Sequence, residues 1–252
     1  MHRIKFALLT LFLIIAANVQ GTPTPLFWTF CNTDIQATGV LHFSQIDYFT
    51  VFNRRGHGQI FPLDIGLTYG LFTWNQISAE VGVDYFGGND DPLYFNGKIG
   101  VKEDVLFCAA PAFNIGIFNV GTRHRGHRRT DQNVVDIIFG KTLPDWLGGR
   151  IFAGAYSGSR RLGKNRQGFM VGYDLSFCKA IYCEGVEYYK WIFCADYASG
   201  KNTIGGGGVS LCYLFTPDIF LQTGPVWFND ARINGTWKWS VQFNVNIPVV
   251  KS

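Results

Sequence analysis

Residues 236–247 read Thr-Trp-Lys-Trp-Ser-Val-Gln-Phe-Asn-Val-Asn-Ile. Trp237, Trp239, Val241, Phe243, Val245 and Ile247 fall on one side of an extended chain, and Lys238, Ser240, Gln242, Asn244 and Asn246 on the other. A period of two over this length belongs to a β-strand, because successive side chains leave the backbone in opposite directions. The apolar side is long and aromatic, while the opposite side is polar without a break. Such a strand divides an oily medium from a wet one, the pattern expected in the wall of a membrane-spanning barrel.

The same rhythm recurs along the chain as alternating stretches of roughly ten residues separated by turns. It predicts strands over 35–46, 62–72, 76–86, 92–101, 111–120 and 133–141, then 149–157, 167–177, 187–197, 205–215, 219–228 and 236–247. The expectation is an all-β, antiparallel transmembrane barrel of about 12 strands, an even number that returns both termini to the periplasm. Short connections such as Thr73-Trp74-Asn75 and Thr216-Pro217-Asp218 suit the periplasmic side, and the longer, polar ones suit the outside. A soluble β-sandwich also alternates, with its apolar face turned inward instead. Three features favour the barrel: aromatics near strand ends, polar faces rich in Gly, Ser and Asn, and strands longer than the five or six residues typical of a sandwich.

Composition points to the same compartment. His2, Arg3 and Lys5 precede an apolar run from Ala7 to Ala17, and Val19-Gln20-Gly21 supplies small residues before a cleavage point. Residues 1–21 therefore read as a secretory signal peptide and 22–252 as a single barrel domain. No later stretch offers the roughly 20 consecutive apolar residues of a membrane-crossing helix. The chain carries 23 Phe, 11 Tyr, 7 Trp and 30 Gly, which suits strands and turns. A net charge of +4, part of it from Arg3 and Lys5, is too small to argue for nucleic acid. No cofactor or metal is implied, since the cysteines and histidines form no ligand cluster.

By architecture and export signal, the chain resembles bacterial outer-membrane β-barrel proteins over its full mature length. The resemblance implies a bacterial outer-membrane location, a monomer, and lipid and lipopolysaccharide as surroundings. It departs from the pattern at the end, where Pro248-Val249-Val250-Lys251-Ser252 follow the last strand in place of a terminal aromatic. Phe243 is the nearest one, so insertion by the usual assembly machinery is an assumption.

The candidate site residues follow from the faces. Glu80, Asp84, Lys98, Asp136, Lys190, Asp196 and Lys238 are expected to face the lumen, as a plug of paired side chains or a path for small polar or anionic solutes. Arg54, Arg55, Arg123, Arg125, Arg128, Arg129, Arg160 and Arg161 lie in outer connections, where guanidinium forks suit lipopolysaccharide phosphates or a vestibule that attracts anions. Cys194 and Cys212 should lie almost opposite each other, Cys178 and Cys183 bracket a short connection, and Cys31 and Cys108 share the terminal side; each pair is a candidate disulfide. His42 and Ser44 share one face of a strand, the spacing of a base and a nucleophile. His42-Phe43-Ser44 faintly resembles the His-x-Ser of outer-membrane lipid A deacylases, though the flanking residues differ. The functions to be weighed are a structural or passive-pore barrel, a lipid-modifying hydrolase, and an adhesin or ligand-binding surface protein.

Overall fold

The computed structural model describes residues 26–51, 63–87, 90–125, 129–182 and 185–249. Twelve strands close on themselves: β1 (Val40–Phe49), β2 (Asp64–Trp74), β3 (Ile77–Phe86), β4 (Leu93–Val101), β5 (Ala112–Gly121) and β6 (Val134–Thr142). They are followed by β7 (Arg150–Ser157), β8 (Gln167–Tyr182), β9 (Val186–Ala198), β10 (Gly206–Thr216), β11 (Ile219–Phe228) and β12 (Trp237–Pro248). Each strand pairs with its sequence neighbours, and β1 pairs antiparallel with β12 from Val40↔Pro248 to Phe49↔Trp239. Closure leaves no strand edge with unpaired N–H and C=O groups, a condition that hydrocarbon imposes. Among the described residues the only helix is one turn, α1 (Ala231–Asn234), where the Asp230 side chain accepts from the Arg232 N–H.

The alternation reads as expected. In β12 the polar set Lys238, Ser240, Gln242, Asn244 and Asn246 is buried, whereas Phe243 and Ile247 are exposed. Leu67, Val81, Phe95, Ile99, Ile117, Ile137, Phe139, Val171 and Leu211 are likewise exposed on the outer wall. A water-soluble protein does not surround itself with an apolar belt of this extent while burying amides and charges. The wall therefore faces lipid outward and a polar lumen inward. β1 interrupts the belt: Gln45 and Asp47 point outward, the Gln45 amide donating to Asp47 at 3.4 Å. Asp47 lies two positions from the strand's end, opposite Val241.

One end of the barrel carries the tight hairpins Trp74–Ile77 and Thr216–Ile219 together with the start of β1 and the end of β12. The other carries the longer connections, including 122–133, 158–166, 199–205 and 229–236. We call these the terminal end and the loop end. Ten expected strands agree with the observed ones to within a few residues, and β8 differs by running on to Tyr182. The first strand is a correction: it is Val40–Phe49, not 35–46, because residues 26–38 are not part of the wall. The expected signal peptide falls outside the described residues.

Candidate functional site: a lumen occupied by the chain itself

An eight-stranded barrel is just filled by its own inward side chains, whereas a twelve-stranded one is wider. Several inward positions here are glycine, which widens it further. The space is taken by residues 26–38: 26–29 form a bend closed by the Leu26 N–H to the Thr29 C=O (2.8 Å), and the chain continues from there through the lumen to the terminal end. A tight turn there (Val40 N–H to Ala37 C=O, 3.1 Å; Gly39 φ 76°) reverses the chain into β1. Phe27, Thr29, Cys31, Asn32 and Gln36 are all buried. The inward glycines clear its path: a Cβ on Gly208 would lie 2.6 Å from the Phe27 ring, on Gly140 2.5 Å from Thr33, and on Gly70 2.0 Å from the Ala37 carbonyl oxygen. Gly70→Val is accordingly expected to dislodge the base of the segment. Limited proteolysis in detergent should then cut within 26–38 faster than in wild type, and an unchanged digestion pattern contradicts the packing.

The wall holds the segment both by an apolar cluster, in which Leu26, Phe27 and Cys31 are buried with Ile138, Phe152, Met170 and Val226, and by polar groups. One carboxylate oxygen of Asp196 accepts from the backbone N–H groups of Phe27, Trp28 and Thr29 at 3.1, 2.9 and 2.7 Å, and from the Thr29 hydroxyl at 3.1 Å. Glu80 accepts the Gln36 N–H at 2.5 Å. Gln222 and Gln242 donate to the carbonyls of Leu26 and Phe27, each at 3.0 Å. Asn114 donates to the Asn32 carbonyl at 2.7 Å, and Lys98, whose ammonium is 3.7 Å from Glu80, donates to the Asp34 carbonyl at 2.8 Å. Buried charges persist because they are paired or hydrogen-bonded in this way.

Arg150 at the start of β7 forms the main ion-pair junction. Its guanidinium grips Asp34 with two bonds (2.7 and 2.8 Å) and Asp174 from the other side (2.5 Å). Towards the loop end the contacts turn aromatic. Trp28 packs edge-on against Tyr48 and Phe228 with centroids 5.7 and 4.9 Å apart, its indole N–H donating to the Ile204 carbonyl. Phe30 stacks on Phe118 at 3.7 Å. The connections 158–166 and 199–205 close over this cluster, burying Leu162 and Ile204, with the Thr203 N–H bonded to the Leu162 carbonyl at 2.9 Å.

Of the expected lumen residues, Glu80, Lys98, Asp136, Asp196 and Lys238 are buried. Asp84 is half-buried and bonded to Asn96, and Lys238 bonds to Thr50. The structure assigns three of them a role that sequence did not show: Asp196, Glu80 and Lys98 hold the inserted segment rather than lining an empty path. Lys190 is the exception, since its ammonium lies 5.5 Å over the ring of Tyr213, an outward residue. Arg150 and Asp174 stand on inward faces, as alternation gives them; their partner Asp34 was not anticipated, because it reads from sequence as the lead-in to a strand.

The expected disulfides are corrected. Cys31, Cys108, Cys178, Cys194 and Cys212 are free thiols. Cys194 stands opposite Ser210, and Cys212 opposite Ile192. The two cysteines are therefore diagonal neighbours, about 7–8 Å apart and beyond a disulfide's reach. Cys31 is carried up into the lumen and away from Cys108, and Cys183 lies outside the described residues. His42 and Ser44 share the inner face, but His42 is buried and its Nδ1 is 2.8 Å from Asn246. Both stand on the wall opposite the one that meets lipid, which removes the geometry a lipid hydrolase needs.

Arg54, Arg55 and Arg128 also fall outside the described residues. Arg123 pairs with Asp91 at 3.1 Å, and Arg129 pairs with Asp131. The Arg129 hydrogen bond holds the Asp131 carboxyl below the usual carboxylate range. Arg125, Arg160 and Arg161 are exposed at the loop end, with Arg161 Nε donating to the Arg129 carbonyl at 3.2 Å.

A closed antiparallel barrel with an apolar outer wall and a polar lumen defines the class of outer-membrane β-barrel proteins. No family model matches the chain, and no curated protein matches it by sequence. Among solved structures it is similar to KdgM porin, at 9% identity and a TM-score of 0.49, covering 82% of this chain and 97% of that one. It is also similar to an outer membrane channel from Pseudomonas putida (9% identity, TM-score 0.44, 86% and 98% covered). A mutant of Rh. blastica porin gives 9% identity and a TM-score of 0.39, with 82% and 98% covered.

Proposed function

We propose that the protein is a bacterial outer-membrane barrel with a passive role towards small polar solutes, obstructed at rest by its own residues 26–38. The observation that carries this reading is the manner of attachment. The segment is held by side-chain hydrogen bonds, the Arg150–Asp34 pair and apolar packing, and its β-bridge to the wall among the described residues is Thr38↔Gly70. A segment held in this way can leave without breaking the ladders that close the barrel. Residues 1–21 act as the export signal, the terminal end faces the periplasm, and the chain works as a monomer. The exposed Arg125, Arg160 and Arg161 meet lipopolysaccharide phosphates or draw anions to the mouth, as clustered guanidinium groups do.

Planar-bilayer recording tests the reading. Wild type should show infrequent openings, with a reversal potential in a KCl gradient biased towards chloride. Replacing Arg125, Arg160 and Arg161 with Gln should reduce that bias without closing the pore. Folded protein that passes no current, either as wild type or with the Asp196 contact removed, excludes the pore.

A further inference from the structure

We propose that the lumen is a binding site for polypeptide. Residues 26–38 are its resident occupant, and a second peptide of matching pattern takes their place when the resident is loosened. This goes beyond the pore reading and does not require the barrel to conduct.

The wall reads peptide backbone. Asp196 collects three successive N–H groups through one oxygen, and Glu80 takes a fourth. Gln222, Gln242, Asn114 and Lys98 each donate to a backbone carbonyl. These contacts do not depend on which side chains the occupant carries. Side chains are read at the aromatic notch of Tyr48 and Phe228, the Phe118 face and the Arg150 fork, which take Trp28, Phe30 and Asp34, and in the apolar cluster that buries Leu26, Phe27 and Cys31. The pattern is an apolar pair, two aromatics at alternate positions and a carboxylate four residues after the second.

The experiment uses the full chain in detergent micelles, with Trp28→Ala and Asp34→Ala together loosening the resident. The probe is a fluorescent synthetic peptide with the native sequence of residues 26–38. The loosened protein should give a saturable rise in anisotropy. Wild type should bind at least tenfold more weakly, because its own segment competes at the millimolar effective concentration of a tethered ligand. A peptide of scrambled order, or one N-methylated at the Thr29 amide, should lose at least tenfold in affinity. Should the double variant fail to fold, Phe30→Ala alone serves the same purpose. Folded, loosened protein that captures no peptide overturns the proposal, as does equal capture of the scrambled one. Capture without current in any variant leaves the proposal standing and removes the pore; current without capture does the reverse.

Discussion

In planar bilayers, the Asp196→Ala protein should carry at least ten times the time-averaged current of wild type. The carboxylate accepts three backbone N–H groups and a hydroxyl from Phe27, Trp28 and Thr29. Removing it leaves those donors in a buried site with no acceptor, at roughly 1–3 kcal/mol for each group left unmade. Even the lower end of that range, summed over three groups, shifts a two-state equilibrium by more than a factor of ten. The cost falls on the inserted state, because an expelled segment finds its donors solvated by water. Asp196→Asn keeps one acceptor oxygen and should fall between the two. The wall should survive both changes, since β9 remains paired with β8 and β10 along its length. Folded Asp196→Ala protein with wild-type current would show that this carboxylate does not hold the lumen closed.

A charge on the outer wall should destabilise the barrel according to its depth. Phe243 lies near the middle of β12, opposite Gln45 and Leu221, with its ring exposed. An arginine at the bilayer midplane costs about 2–4 kcal/mol, falling to about 0–1 near the interface. Phe243→Arg should therefore lower the unfolding free energy in lipid vesicles by about 2–4 kcal/mol, and Ile247→Arg, near the terminal rim, by about 1 or less. Denaturant titration followed by tryptophan fluorescence gives both numbers. Equal effects at the two depths would contradict a wall that meets hydrocarbon.

The wall was legible in the sequence because a barrel strand writes its two media into alternate residues. Trp237 to Ile247 gives that reading directly, and the shorter runs around Glu80, Lys98 and Asp196 repeat it. The occupied lumen was not legible, for two physical reasons. Residues 26–38 are as aromatic as a strand, so Trp28, Phe30 and Asp34 look like the approach to the first one. The inward glycines, among them Gly70, Gly140, Gly172 and Gly208, read as an open polar face, and only their contacts show that each makes room for another piece of chain. Asp196 was placed on the correct face, but its partners lie more than 160 positions away, a separation that no local pattern encodes. The cysteine pairing failed on a register offset of two residues. Sequence alternation fixes which face a residue takes but not its height along the neighbouring strand.

The central claim is that residues 26–38 lie inside the barrel, and cross-linking measures it directly. In protein whose six native cysteines are replaced by alanine, Phe30→Cys and Phe118→Cys should be bridged readily by a short bifunctional thiol reagent, because rings stacked at 3.7 Å keep their β-carbons within its span. Phe30→Cys combined with Phe113→Cys, on the outer wall, should remain unbridged. A 30–118 bridge formed in folded protein, without a 30–113 bridge, is the result the account predicts. Folded protein in which position 30 is bridged to neither, or to 113, would place the segment outside the lumen and contradict it.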